Sequence, residues 1–456
     1  MSTLLIGNSY NDSLVADLAS FREADRQVAG NISLRMIWLA EPGDILVLPQ
    51  PPRPEFVRYA LTLRGLDVDS VLIMVPPAGR LGSDVLTGDR LLDGGFLAEL
   101  RALVTKRNVD HACPYVFDAT TAHLIRELGL HRSMPGFGFY EAGGADLVNS
   151  KSVFRAMAGG LGLPVTTGIV ATSRAKAQEF AADLVAANRC VIVKQDFHAG
   201  GYGNEIISPR PDVQPLGAPS LRVLDSQDAV RRHFDSAWSR YSVDGRHKVI
   251  VEDYVPDSMP LGAEVRITAE GSRLHHIGEM RMAPVFDGVV IPGAVLSEKN
   301  RAEFNDIVLR VCDSIRALGY VGLANIDGIL TPDGDLLLTE MNGRLGGTTH
   351  LHWIADALVG HDYQTECVLM TRNHWHVSSF DDAVARLRTS GLLFEPDARA
   401  GVLIGCEHIQ QSGVVEYCIV AKDVDAAEEI ETSLNATSTI WILAGCGVSV
   451  RVDLPG

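Results

Sequence analysis

The segment from 321 to 347, V-G-L-A-N-I-D-G-I-L-T-P-D-G-D-L-L-L-T-E-M-N-G-R-L-G-G, leaves little choice of local structure. Pro332, Asp333, Gly334 and Asp335 make a turn between two apolar runs, which predicts a β-hairpin. A ladder centred between Asp333 and Gly334 puts Asp327 opposite Glu340, and the two-residue period of a strand puts Asn342 on the face of Glu340. Oxygen donors from all three then converge. Two bare carboxylates about 4 Å apart repel by roughly 4 kcal/mol at an effective dielectric near 20, so a cation or a shared proton has to compensate. The hairpin contains no lysine, which favours a bound metal. A solvated acidic face is the alternative, and the apolar neighbours Ile326, Leu338 and Met341 weigh against it. All-oxygen ligands select a hard ion, Mg2+ with Mn2+ as its substitute.

Arg344 follows, and Gly346 and Gly347 lead from it into a predicted helix over 349–358. A guanidinium beside a helix N-terminus makes a pocket for an anion, either a carboxylate substrate or an acyl phosphate formed from it. Arg266, beside Glu264 in A-E-V-R-I-T, and Arg281, in G-E-M-R-M-A, lie on apolar strands where a charge needs a partner. Each is read either as a contact for substrate or phosphate or as half of a structural ion pair.

Upstream, V-I-V-K-Q-D-F-H-A-G-G-Y-G-N runs from an apolar strand ending at Lys194 into a turn carrying Gly200, Gly201 and Gly203, then into the apolar pair Ile206 and Ile207. Residues without Cβ let backbone N–H groups approach a phosphate, and the lysine supplies a point charge; an ordinary glycine-bearing hairpin is the competing reading. No Gly-Lys-Ser/Thr opens a helix here, so the segment is not a P-loop. Residues 248–253, K-V-I-V-E-D, form a short strand ending in acids, and Tyr254, Val255 and Pro256 stop its ladder. Such an end either is solvated or offers backbone groups to a purine rim, with Glu252 or Asp257 accepting from ribose hydroxyls.

A chain of 456 residues exceeds one hydrophobic core and predicts several domains. Apolar runs at 3–7, 33–39, 44–48, 71–75 and 112–117 read as strands, alternating with helical spacing at 13–24 and 119–128, which suggests a parallel α/β sheet. M-P-G-F-G-F-Y-E-A-G-G lacks the strand-then-helix setting of a dinucleotide loop and reads as a connection between domains. Helices are expected around Lys151 and over 173–188, with a strand at 167–170. The prolines of 208–226 suggest a surface excursion outside any sheet, free to move over a site. Residues 401–410 and 414–420 read as a hairpin, 425–434 as a helix and 440–452 as a strand. This last unit shows no evident chemistry and is expected to cap a site, shape a pocket or form a homodimer interface.

The net charge of −17 argues against nonspecific binding to nucleic acid or anionic membranes. No apolar run reaches membrane-spanning length, no signal peptide is visible, and seven cysteines without a C-x-x-C pair read as reduced thiols of a cytoplasmic protein. His350-x-His352 and His374-x-His376 lack a third ligand at zinc spacing and read as surface or pocket histidines. Cys406 near His408 is no better as a nucleophile pair.

Taken in order from 149 to 370, these motifs resemble the ATP-grasp superfamily, and within it the peptide ligases of natural-product biosynthesis of the pheganomycin type. The resemblance implies α/β and α+β domains: a Rossmann-like pre-ATP-grasp domain over 1–140, an ATP-grasp domain over 141–375 with nucleotide between two subdomains, and a small α+β domain over 376–456. It implies that Lys151 and Lys194 contact the phosphates of ATP beneath a loop over 198–204, that Glu252, Asp253, Tyr254 and Val255 form the hinge, and that Asp327, Glu340 and Asn342 hold magnesium. Arg344, with Arg281, would stabilise an acyl phosphate formed from a small-molecule carboxylate, which an amino-acid or peptide amine then attacks. A kinase of the same build with another acceptor retains every one of these motifs. A non-catalytic nucleotide-binding regulator should lack part of the metal set or Arg344.

Overall fold

The computed structural model describes the backbone of residues 2–445 and the side chains of residues 2–436. Strands β1 (Ser2–Ile6), β2 (Ile45–Val47), β3 (Leu72–Met74) and β4 (Val109–Pro114) form a parallel sheet in the order β3-β2-β1-β4. Its apolar runs are continuous because both faces are covered. Leu4, Ile6, Ile45 and Val47 enter one core while Leu5 and Leu46 enter another.

The run expected as a strand at 33–39 is instead a 3-10 helix, Ile32–Leu39, buried throughout its residues 33–39. A short apolar run buried on all sides carries no period that separates strand from helix. Trp38 Nε1 donates to the Gly405 carbonyl at 2.7 Å, so this helix docks on the far end of the chain. The helical pattern expected over 13–24 breaks into Asp12–Val15, Leu18–Ser20 and the start of Glu23–Asn31. The connection expected as a loop near 134–144 contains the helix Phe137–Glu141, and Gly144–Asn149 follows.

A second sheet contains β5 (Gly168–Ala171), β6 (Cys190–Gln195), β7 (Asn204–Ser208), β8 (Leu221–Val223) and β9 (Val249–Tyr254), in the order β5-β9-β6-β7-β8. The helices Arg174–Ala186 and Gln227–Ser242 cover it, burying Ala181, Val185, Phe234 and Tyr241 against Val191, Val193 and Val251. The proline-rich excursion is not wholly outside the sheet: Leu221–Val223 pairs parallel with β7 at the edge. Proline lacks the N–H that a central strand needs, so the edge is the position open to such a segment.

The largest sheet contains β10 (Met259–Ile267), β11 (Ser272–Met282), β12 (Phe286–Ile291), β13 (Gly322–Leu330), β14 (Leu336–Asn342), β15 (Val368–His376), β16 (Gly401–His408) and β17 (Val414–Ala421). Its order is β14-β13-β10-β11-β12-β15-β17-β16, with antiparallel neighbours throughout. The carboxy-terminal hairpin therefore has no sheet of its own; it extends the central one through β15. The helix expected over 425–434 is longer, Val424–Gly445. It occupies 440–445 in place of the expected strand, whose remainder lies outside the described residues. Among the described residues, no helix is long and apolar enough to cross a membrane.

Candidate active site

The cleft between the five-stranded and eight-stranded sheets has a volume of about 350 Å3 and is lined from every part of the chain. At one end stands the hairpin β13–β14: Asp327 pairs with Glu340 and Asn325 with Asn342 as anticipated, but a bulge between Asp327 and Gly328 shifts the pairs nearer the turn by one, so that Leu330 faces Leu336. Asn342 Nδ2 donates to Glu340 Oε1 at 3.0 Å. Burial and the adjacent Glu340 charge drive the Asp327 carboxyl well above the usual carboxylate range. Burial also raises Glu340, but Lys151, Asn342 and Lys194 outweigh it and hold that group down at about 2. The two carboxyls are thus driven in opposite directions, a conflict that a divalent cation would relieve. The donor set is all oxygen and fits Mg2+ or Mn2+.

Both expected lysines reach this point. Asp196, buried at the end of β6, accepts from Ser150 Oγ at 2.7 Å and from Ser152 N and Oγ at 2.9 Å each. A carboxylate at a helix N-terminus is favoured by the exposed amides there. This clasp fixes the start of the helix Lys151–Gly160, and Lys151 Nζ then lies 3.3 Å from Glu340 Oε2 and 2.7 Å from the His198 carbonyl. Lys194 Nζ lies 2.7 Å from Glu252 Oε2 and 3.4 Å from the Thr339 carbonyl. Asp196 was missed in the sequence because Q-D-F reads as an ordinary polar strand end.

Gly200 and Gly201 have φ of 64° and 85° and line the cleft. Side chains rarely adopt such backbone, and a Cβ at Gly201 would also lie 2.7 Å from the Gly217 carbonyl. Gly203 does not line the cleft; a Cβ there would meet the His198 Cβ at 2.5 Å. At the hinge, the β6–β9 ladder ends at the Cys190–Tyr254 pair, and residues 252–255 face the cleft. The acids of this hinge are already committed. Glu252 takes Lys194 and Arg155, and Asp253 pairs with Arg189. Asp257 is exposed and turns away, leaving Ser258 on the cleft wall. A ribose role for Asp257 is therefore not supported by its placement. The Tyr254 hydroxyl accepts from Leu216 N at 3.0 Å and donates to the Gln214 carbonyl at 2.9 Å, which pins the proline-rich segment over the opening.

Arg344 faces the cleft, bonding Asn342 Oδ1 and the Leu345 carbonyl at 3.0 Å each. It forms no carboxylate ion pair among the described residues, and its buried Nε has no partner. Gly346 and Gly347 line the same wall. A Cβ at Gly347 would come within 3.3 Å of the Phe286 ring and 3.6 Å of Arg35 Nη1.

Besides Gly203 and Asp257, three further expected contacts are not brought here. Arg281 does not line the cleft; Met280 and Met282 do, so the strand period turns the arginine to the other face. There it grips Glu431 at 2.6 and 2.7 Å. Arg266 also lies off the cleft, close enough to Tyr140 and Cys113 to lower both through its charge against the burial that raises them. Glu264 is fully buried beneath the site, bonded by Thr349, with His275 Nδ1 3.6 Å away. Its role is to hold the start of the helix Thr349–Leu358.

Another part of the cleft wall is formed by Arg35, His408 and Glu416, of which the sequence singled out only His408. Arg35 binds Glu416 through two contacts of 2.8 and 2.7 Å, and His408 Nε2 lies 2.8 Å from the same carboxylate. The carboxy-terminal unit thus contributes to the site. Cys406, His408 and Glu416 bring ligand-type atoms within 4.8 Å of one another. Glu416 is already satisfied by Arg35 and His408, and burial pushes the Cys406 thiol well up, so the group is an ion network and not a nucleophile pair.

Residues 33–130 match the pre ATP-grasp domain family, and residues 382–434 match the PGM1 C-terminal domain family. The chain is 26% identical over 405 residues to the L-propargylglycine–L-glutamate ligase of Streptantibioticus cattleyicolor, covering 82% of this chain and 79% of that one. Among solved structures, biotin carboxylase from Campylobacter jejuni, in complex with β,γ-ATP, superposes with a TM-score of 0.57 at 15% identity over 95% of this chain and 90% of that one. An L-amino acid ligase from Bacillus licheniformis gives 0.54 at 13% identity over 96% and 97%. The amino-terminal residues thus match the pre ATP-grasp domain, the fold is that of these solved enzymes, and over most of its length the chain resembles an L-propargylglycine–L-glutamate ligase.

Proposed function

We propose that this protein is an ATP-dependent carboxylate–amine ligase that joins amino-acid-type substrates through an acyl phosphate. The observation that carries the reading is Arg344. An arginine without a carboxylate partner stands beside Asp327, Glu340 and Asn342, in the cleft that Lys194 lines and next to the Glu340 carboxylate that Lys151 contacts, although Lys151 itself does not line the cleft. A guanidinium in that position serves a substrate anion next to a metal-held phosphate.

Asp327, Glu340 and Asn342 would hold Mg2+ or Mn2+, which supplies neutralising charge at phosphate oxygens. Lys151 and Lys194 neutralise the transferring phosphoryl group, and the amides around Gly200 and Gly201 cover it. The strand end at 252–255 receives the base of ATP. Arg344 orients the carboxylate and stabilises the charge of the acyl phosphate. Amino acids as substrates are supported by the relative, which is named for joining L-propargylglycine and L-glutamate.

The test is release of ADP and phosphate from Mg-ATP with a panel of amino acids and short peptides, followed by product masses. ADP together with a mass equal to both substrates less water is the expected result. AMP and pyrophosphate, or a phosphorylated product with no amide, would replace the reading with adenylation or phosphotransfer.

A further inference from the structure

An amine substrate enters as an ammonium ion, which has no lone pair with which to attack. Something in the cleft has to take its proton. We propose that His374 is the general base that deprotonates the amine, and that Asp287 is the residue that positions it; this rests on the ligase reading above.

Asp287 opens β12 beside Phe286 and is buried, with 9% of its side chain exposed. His374 lies on the neighbouring β15, lines the cleft and has 56% of its side chain exposed. Its Nδ1 is 2.5 Å from Asp287 Oδ1. An ionised carboxylate only accepts, so Nδ1 carries the proton and the neutral ring presents its lone pair at Nε2. No hydrogen-bond partner occupies Nε2 among the described residues. Arg372 donates to Asp287 Oδ2 at 3.1 Å, and the Asn373 amide donates to Oδ1 at 3.3 Å. Burial raises the Asp287 carboxyl, and His374 and Arg372 outweigh it, holding the group below its ordinary value.

The other charged groups facing the ring are Glu416 on β17 and, through Asp287, Arg372. The hydrogen bond to Asp287 raises His374 above its ordinary value against the opposing effect of burial, and Glu416 adds to the rise. Tyr202 of the glycine-rich loop lies near Asp287, its phenol raised by burial and then by that charge. The Phe286 ring stands 3.3 Å from the Cβ position of Gly347, which brings the start of β12 against the turn that follows Arg344. His374, Phe286 and Gly347 all line the cleft that Arg344 faces.

In the step, the ammonium gives one proton to Nε2 and becomes the amine. Nitrogen attacks the acyl carbon; the C–N bond forms as the C–O bond to phosphorus breaks, and phosphate leaves with the electron pair. The second nitrogen proton departs on phosphate, and the imidazolium returns its own to solvent.

Hydroxylamine tests this directly, because it is largely unprotonated near neutral pH and needs no base to capture an acyl phosphate. His374→Gln should form hydroxamate at the wild-type rate while amide formation with an amino acid falls by about 100-fold or more. The acid limb of the amide pH–rate profile should vanish in that variant, and Asp287→Asn should move it to lower pH. Equal rates with both acceptors, or equal losses, would overturn the assignment of His374. If the wild-type protein releases neither ADP nor hydroxamate with any carboxylate, the ligase reading itself fails and the base with it. His374 is half exposed, so an unchanged thermal melt is expected for the glutamine variant.

Discussion

Asp327 stands opposite Glu340 across the hairpin, and the Lys151 ammonium lies 3.3 Å from Glu340 Oε2. The lysine favours the charge of Glu340, while burial and that charge drive Asp327 upward. Because the folded-state pKa of Asp327 is raised, stability is full below the unfolded carboxyl value of about 4 and declines as pH rises toward the folded value. Asp327→Asn should remove that decline, so that melting in metal-free buffer at neutral pH is unchanged or higher. The same variant should lose Mg-dependent ATP turnover by at least about 100-fold. A lower melting temperature with turnover preserved would show that Asp327 is a structural group.

Lys194 should contribute through nucleotide binding. Replacing it with Met leaves Glu252 with Arg155, so the strand end survives, but a cation that faces the phosphates is gone. ADP affinity measured calorimetrically should fall by about 10- to 100-fold, the worth of one charge-assisted contact. Unchanged affinity would move the phosphates elsewhere in the cleft.

Arg281 and Arg344 should separate cleanly. Arg281→Ala removes the bidentate partner of Glu431, leaving that acid with Arg372 at 3.5 Å and the Tyr417 hydroxyl at 2.7 Å. The expected cost is about 1–3 kcal/mol of stability, with kcat nearly unchanged. Arg344→Ala should reverse the pattern, melting normally and losing the coupled reaction by about 100-fold or more. A catalytic loss confined to Arg281→Ala would refute the placement of that side chain.

Glu205 ties β7 to the helix Gln227–Ser242. It accepts from Arg240 at 2.8 Å, from Arg222 at 3.1 Å and from the Tyr241 hydroxyl, with His233 Nε2 at 2.9 Å. Burial raises this carboxyl, but His233, Tyr241 and Arg240 outweigh it and hold it far below the usual range. A depressed folded value stabilises above the unfolded value of about 4.3, and that stability is lost as pH falls. Glu205→Gln should cost about 3 kcal/mol at neutral pH and flatten the acid limb of melting temperature against pH. Superimposable profiles would show that the network contributes nothing.

Much of the candidate site was legible because its geometry is local. A turn sequence sets hairpin register to within a residue, and a bulge between Asp327 and Gly328, which no local signal marked, completes the pairing of Asp327 with Glu340. The same is true of Lys194 at a strand end and of the glycines that follow it. Periodicity failed where burial is complete on all sides, as in the helix Ile32–Leu39, and where two adjacent faces of a strand are both apolar, as around Arg281. Met280 and Met282 look no more like cleft residues in sequence than Arg281 does.

What the sequence determined by itself was therefore the set of groups joined by short-range rules: the hairpin acids, the strand-end lysine, the glycine loop and Arg344. Tertiary structure decided the rest, because Arg35 and Glu416 are separated by 381 positions, and His374 and Asp287 by 87. No local propensity encodes such a pairing. It arises when the amino-terminal domain packs on the central sheet and the carboxy-terminal hairpin extends that sheet, so that buried charges find their partners only in the assembled fold.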